Sequence, residues 1–355
     1  MKTHDINELL DYFQDENKSF SFDENAIAEA YQDDNKNQSL AVKVISSFGG
    51  ILASLAFFGF ILVSGIYDSG LGMSVLGGIL IIGSVAINKA GNSTLLDTAS
   101  VSFFLAGFLL FGMGISTLHT NEENLICGSF IIISLCTLML APSYIFSFFS
   151  VLILNGSILT LIISNEHYNS VHIYVSLLAF VVTYLFLHEA KIITTHKTLA
   201  KLYKPVKIGL IFSFLAGLTI LGTKAFPLSP NYIWVSSVVN IALIAYLVFQ
   251  FSKILNIQET KAKIGVCIFT VLILSPTALS PAISGALLVL LLSFYANYKT
   301  GFVLGIITFI YFVSQYYYDL KFTLLTKSAM LFATGVLFIA LYLFTAKKLT
   351  SNEKI

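Results

Sequence analysis

From Val44 to Phe344 the chain is a succession of long apolar runs separated by short polar breaks. A helix that crosses about 30 Å of hydrocarbon needs roughly 20 mostly apolar residues, because its own backbone bonds are the only ones lipid leaves it. Parsed by apolar length, the runs are 44–66, 71–88, 95–118, 125–141, 144–164, 171–188, 206–223, 231–251, 263–275, 279–296, 301–315 and 322–346. Those starting at 125, 263 and 301 are short. The pattern predicts an all-α, polytopic integral membrane protein of about twelve transmembrane helices. Ahead of it, residues 1–43 hold ten acids against four lysines. Thr3 or Asp5 precedes Ile6, Leu9, Leu10 and Phe13, and Asp23 precedes Ala26, Ile27 and Ala30. Each is a helix-start signal before an apolar stripe, so this segment reads as short, acidic and helical. It has no cleavable secretory signal, and residues 347–355 read as a polar tail.

Lysine placement tests the parse, since cytoplasmic loops collect Lys and short translocated loops avoid it. With the N-terminus inside, 17 lysines fall on inner segments and three, Lys224, Lys321 and Lys327, on the outer side. The expected topology therefore has both termini in the cytoplasm. Tyr232 and Trp234, and Tyr316, Tyr317 and Tyr318, sit at predicted outer boundaries, the depth amphipathic rings prefer. The longest loop, 188–207, is expected to be cytoplasmic and to divide the spans into two sets of six, which raises a repeat hypothesis.

Composition agrees. The chain is 56% hydrophobic and 11% charged, against roughly 25% charged in soluble domains. Its net charge of +1 and scattered lysine clusters lack the basic stripe of a nucleic-acid binder, so no nucleic-acid partner is expected. All 20 basic residues are lysine, so an anion site would use Lys, backbone N–H or hydroxyl groups rather than the guanidinium fork. Cys127, Cys136 and Cys267 lie inside apolar runs and offer neither a disulfide framework nor a zinc spacing.

Polar residues at depth are the informative ones in such a chain. Asn155, followed by Gly156 and Ser157, falls near the middle of the fifth span and Asn240 near the middle of the eighth. Each lines a substrate or ion path, or else makes an interhelical hydrogen bond worth about 0.6 kcal/mol. The stretch from Ser275 and Pro276 to Ser280 and Pro281 joins two short runs, and its prolines interrupt helix continuation. It reads as a discontinuous helix whose ends bind ligand, or as a plain outer hairpin. Lys327 is the lysine placed inside a predicted span. Asp319 is its nearest acid, and Thr323 is four residues before it on the same helix face. Asp97 near the inner end of the third span is placed to pair with Lys89. His119, His167 and His172 with Glu122, Glu123 and Glu166 fall on the outer side, but in separate loops and without H-x-x-x-H spacing, so no metal site is expected. The pair Gly301 and Gly305 suits close helix packing. Nucleotide loops, the G-x-S-x-G elbow and H-E-x-x-H are absent from the sequence, and no cofactor is expected.

The segment from Tyr316-Tyr317-Tyr318-Asp319-Leu320 through Thr323-Leu324-Leu325 to Lys327-Ser328, followed by an apolar helix with Gly335, resembles the C-terminal signature of a multi-span family known as domain of unknown function 4401. That resemblance implies a bacterial inner-membrane protein and carries no assigned activity. Twelve spans around midplane polar groups match the general plan of transporters. The expectation is a non-enzymatic protein that binds or moves a small solute or ion, with Lys327, Thr323, Asp319, Asn155, Asn240, Ser275 and Pro276 as candidate site residues. Two other readings stay open. One is a scaffold or assembly component, contacting membrane-protein partners or a second copy. The other is a membrane-embedded transferase on a lipid-linked substrate, for which His188 and Glu189 are the adjacent acid and base.

Overall fold

The computed structural model describes residues 69–319, apart from 91–93, 119–122, 142, 196, 224–225, 228–231 and 255–259, with scattered positions between 45 and 63 and between 325 and 339. The described residues are helical with no strand: α1 Gly70–Ala90, α2 Thr94–Leu118, α3 Glu123–Leu140, α4 Tyr144–Ser164, α5 Ser170–Leu187, α6 Glu189–Thr195, α7 Lys197–Gly222, α8 Ile233–Ile254, α9 Thr260–Leu274, a 3₁₀ turn Ser275–Leu279, α10 Pro281–Tyr295 and α11 Lys299–Asp319. Eight of these helices are long and apolar enough to cross a membrane, and two shorter apolar units, Lys263–Leu279 and Pro281–Tyr295, accompany them. Such a set of helices marks a membrane protein. Apart from those scattered positions the first and last expected spans, and with them Thr323 and Lys327, lie outside the described residues.

Two turns close without glycine. After α4 and after α10 the chain passes through Glu166 at φ 58° and Asn297 at φ 50°. In each, the following amide reaches back to the third carbonyl from the helix end, His167 to Ile162 at 3.0 Å and Tyr298 to Ser293 at 2.8 Å. This is the six-to-one bond that ends a helix in a left-handed residue. One consequence is positional: Tyr298 is folded back toward the start of α7.

The stretch 188–207, expected as a loop, is instead the short helix α6 and the first turns of α7. Apolar length alone started that span at residue 206. Helix α7 begins nine residues earlier, because lysine is a good helix former and its long stem tolerates the interface. Pro205 lies inside α7 and removes one rung of its ladder.

Helices α5 and α7 are the most enclosed, each with 56% of its apolar window buried. Phe214, Leu218, Ile244, Leu247, Leu288 and Leu292 are fully buried in the core they share with α4, α8 and α10. Helices α1 and α2 make a separate tight pair. A Cβ at Gly77 would lie 2.5 Å from the Phe111 nitrogen and 2.8 Å from the Gly107 carbonyl. Without an apolar-to-water transfer to drive association in lipid, such small residues let backbones meet and gain contact by proximity. The expected glycine pair behaves the same way at α10 and α11, where a Cβ on Gly305 would come 2.8 Å from the Leu290 Cα.

Candidate functional site

Helix α5 carries two polar side chains two residues apart, and an α-helix turns about 200° over that interval. They therefore face opposite neighbours. His172 points toward α8, where its Nδ1 lies 2.9 Å from Ser236 Oγ. Tyr174 points toward α4, its hydroxyl 3.4 Å from the Asn155 carbonyl oxygen and 3.5 Å from its Oδ1. The Asn155 amide is otherwise spent on its own helix, donating to Val151 O at 2.9 Å. Asn155 thus stays apart from Asn240.

Asn240 sits at the centre of a denser polar cluster. It is 0% exposed, and its Nδ2 donates to the Pro281 carbonyl at 3.2 Å and to Ser284 Oγ at 3.4 Å. These partners belong to the first turn of α10, which starts after the break at Ser280, φ −139° and ψ 83°. Proline at the first helical position fits that start, since its missing N–H would have no intrahelical partner. Ser275 and Pro276 take no part: both are exposed, and the Ser275 hydroxyl donates to Leu272 O at 2.8 Å. The interrupted segment reaches the cluster through Pro281.

With its amide nitrogen committed, Asn240 presents Oδ1 as an acceptor, and that atom has no partner among the described residues. Nor do Ser237 Oγ and His172 Nε2, both buried. Ser237 is one residue from Ser236 and three from Asn240 on α8. An unsatisfied buried polar atom costs about 1–3 kcal/mol, so the orphaned atoms of Asn240 and His172 call for a hydrogen-bonding group. The other partnerless atoms are hydroxyls of Ser134, Ser147, Thr183 and Ser293. A hydroxyl can rotate toward its own helix's carbonyls; an amide oxygen and an imidazole nitrogen fixed at their other ends cannot. No formally charged side chain belongs to the cluster.

The opposite end of the same helices holds a second feature that the sequence reading missed, because it placed Lys207 in a solvated loop. Lys207 is 4% exposed. Its Nζ lies 3.3 Å from Glu189 Oε2 and over the rings of Tyr298 at 4.4 Å, Tyr203 at 4.6 Å and Phe186 at 5.1 Å. The Tyr203 hydroxyl donates to Leu185 O at 3.0 Å, closing the end of α5. Burial, and after it the neighbouring Tyr144, pushes the Tyr298 phenol up to about 12 from 10.0, so it stays neutral. His188 turns elsewhere, its ring stacked 4.4 Å from that of Tyr184. The signal available in the sequence was Pro205 and Tyr203, the latter four residues before Lys207.

The remaining candidates are dispersed. Asp319 ends α11, and Thr323 and Lys327, the residues expected to join it, lie outside the described residues. Glu123 bonds Ser164, and Asn124 and Asn165 exchange amide bonds at 2.6 and 3.1 Å, tying α3 to α4. Among the described residues no three of His, Cys, Asp and Glu gather at metal-holding range. A groove of about 610 Å³ beside α2, α3 and α4 is lined by Phe108, Gly112, Met113 and Phe130 with Ser116 as its polar residue, and suits hydrocarbon rather than a polar ligand.

Fold and site together define a multi-helix membrane protein with an uncharged polar junction in its core. The chain belongs to the family described as Domain of unknown function (DUF4401), whose model covers residues 39–348. No curated protein and no solved structure matches it.

Proposed function

We propose that this protein binds a small, uncharged polar solute between α5, α8 and α10 and passes it across a membrane. The observation that carries the reading is that His172 Nε2 on α5 and Asn240 Oδ1 on α8, helices that His172 and Ser236 tie together, are each buried and each without a partner among the described residues. The junction lies beside the break between α9 and α10, and interrupted helices are where transporters commonly place their sites. Because the cluster offers hydrogen bonds and no charge, it favours hydroxyl or amide groups over ions. The surrounding topology belongs to the same proposal: twelve spans, both termini in the cytoplasm and a bacterial inner membrane.

The test is thermal stability of the detergent-purified protein against a panel of neutral polyols, amides and amino alcohols, with salts as the comparison. A solute that binds the folded state alone at 100 times its Kd stabilises by about 2.7 kcal/mol. The expected result is a neutral solute that raises the midpoint in the native protein and fails to do so in Asn240→Leu and His172→Phe. Stabilisation retained in both variants places the ligand elsewhere and overturns the site.

A further inference from the structure

We propose that the first two turns of α7, with the adjoining α6, form a binding surface for the phosphate groups of anionic phospholipids. The inference rests on the charge and depth of this face, and not on the solute site.

Helix α7 has 26 residues, about 39 Å at 1.5 Å per residue, which exceeds the hydrocarbon slab by about 9 Å. Its far end is apolar and packed, with Leu218 fully buried and Gly222 against Ala282 and Phe312. The surplus length therefore falls at the lysine end and puts that end at headgroup depth. Lys201 and Lys204, i and i+3 on α7, are exposed, and so is Lys191 on α6. Lys197 stands four residues before Lys201.

What leaves these charges available is the internal pair. Glu189 is the one acid between 188 and 207, and its carboxylate is held by the buried Lys207. No acid of this segment remains to neutralise the exposed lysines. A basic cluster beside membrane helices attracts anionic headgroups. The surface is open and lies level with the headgroups, which favours lipid over a phosphate ion from solution. A compact ammonium meets a phosphate oxygen as a point charge, and lysine is the cation this chain uses throughout.

The test is lipid retention by the full-length purified protein, read by native mass spectrometry after exchange into mixed micelles of phosphatidylglycerol and phosphatidylcholine. The native protein is expected to prefer phosphatidylglycerol. The Lys201→Gln/Lys204→Gln variant should lose that preference on the order of twenty-five-fold, at roughly fivefold per lysine. Lys201→Arg/Lys204→Arg should keep it, and this charge-preserving pair guards against a variant that merely folds poorly. Lys253→Gln/Lys299→Gln, two exposed lysines elsewhere, should leave it unchanged. An undiminished preference in the glutamine variant, or an equal loss in the Lys253/Lys299 control, overturns the assignment to α7. Displacement of phosphatidylglycerol by millimolar inorganic phosphate overturns the lipid as the source.

Discussion

Lys207 and Glu189 approach to 3.3 Å, yet the lysine side chain is 5% exposed and the glutamate 38%. Their pairing is therefore unequal. Glutamate left alone can turn to water, whereas lysine left alone would be a charge among three aromatic rings, as cation–π contact offsets only part of the lost hydration.

The two single substitutions should differ accordingly. Glu189→Ala is expected to cost about 3–5 kcal/mol, the usual penalty for stranding a buried charge. Lys207→Met, an apolar replacement of similar length, is expected to cost about 1 kcal/mol or less, and the double variant should recover most of the loss. Unfolding of the purified protein in a double-mutant cycle gives the coupling; equal costs for the two single variants would contradict the asymmetry.

The α1 and α2 contact predicts opposite outcomes at adjacent glycines. Gly77→Ala drives a Cβ into the backbone of Phe111 and Gly107 and should cost about 1–3 kcal/mol by overpacking. Gly78 has nothing within 4 Å of its Cβ position, so Gly78→Ala should stabilise by about 0.5–1 kcal/mol through helix propensity. Thermal midpoints of the two variants, measured side by side, check the sign.

The two buried asparagines should separate function from stability. Asn240→Leu removes an interhelical bond together with a partnerless acceptor and should shift stability by about 1 kcal/mol or less, while abolishing solute stabilisation. Asn155→Leu gives up chiefly a bond to its own helix and should leave solute stabilisation intact. Loss of solute response in Asn155→Leu instead would move the path to the α4 side.

The topology is checked by fusions. A fluorescent reporter active only in the cytoplasm should light up at the C-terminus, and a periplasmic phosphatase should be active after Pro227 and inactive after Lys191. The reverse pattern would invert the lysine argument.

The sequence by itself determined the eight described helices that are long and apolar enough to cross a membrane, because lipid leaves a spanning backbone no alternative to helix and the required apolar length is read directly along the chain. It also marked Asn240 as a polar residue at depth and the Ser275 to Pro281 segment as an interruption, since both are violations of a one-dimensional pattern. It misjudged 188–207, where lysines signalled water and concealed two helices and a buried cation. Which polar residues meet was decided only in three dimensions. The angular position of each side chain sends His172 and Tyr174, two residues apart, to different neighbours, and brings Asn240 to the carbonyl of Pro281, 41 residues away. Apolar length fixes how far a helix reaches and is silent on which face it turns inward; that face is chosen by packing against helices distant in the chain.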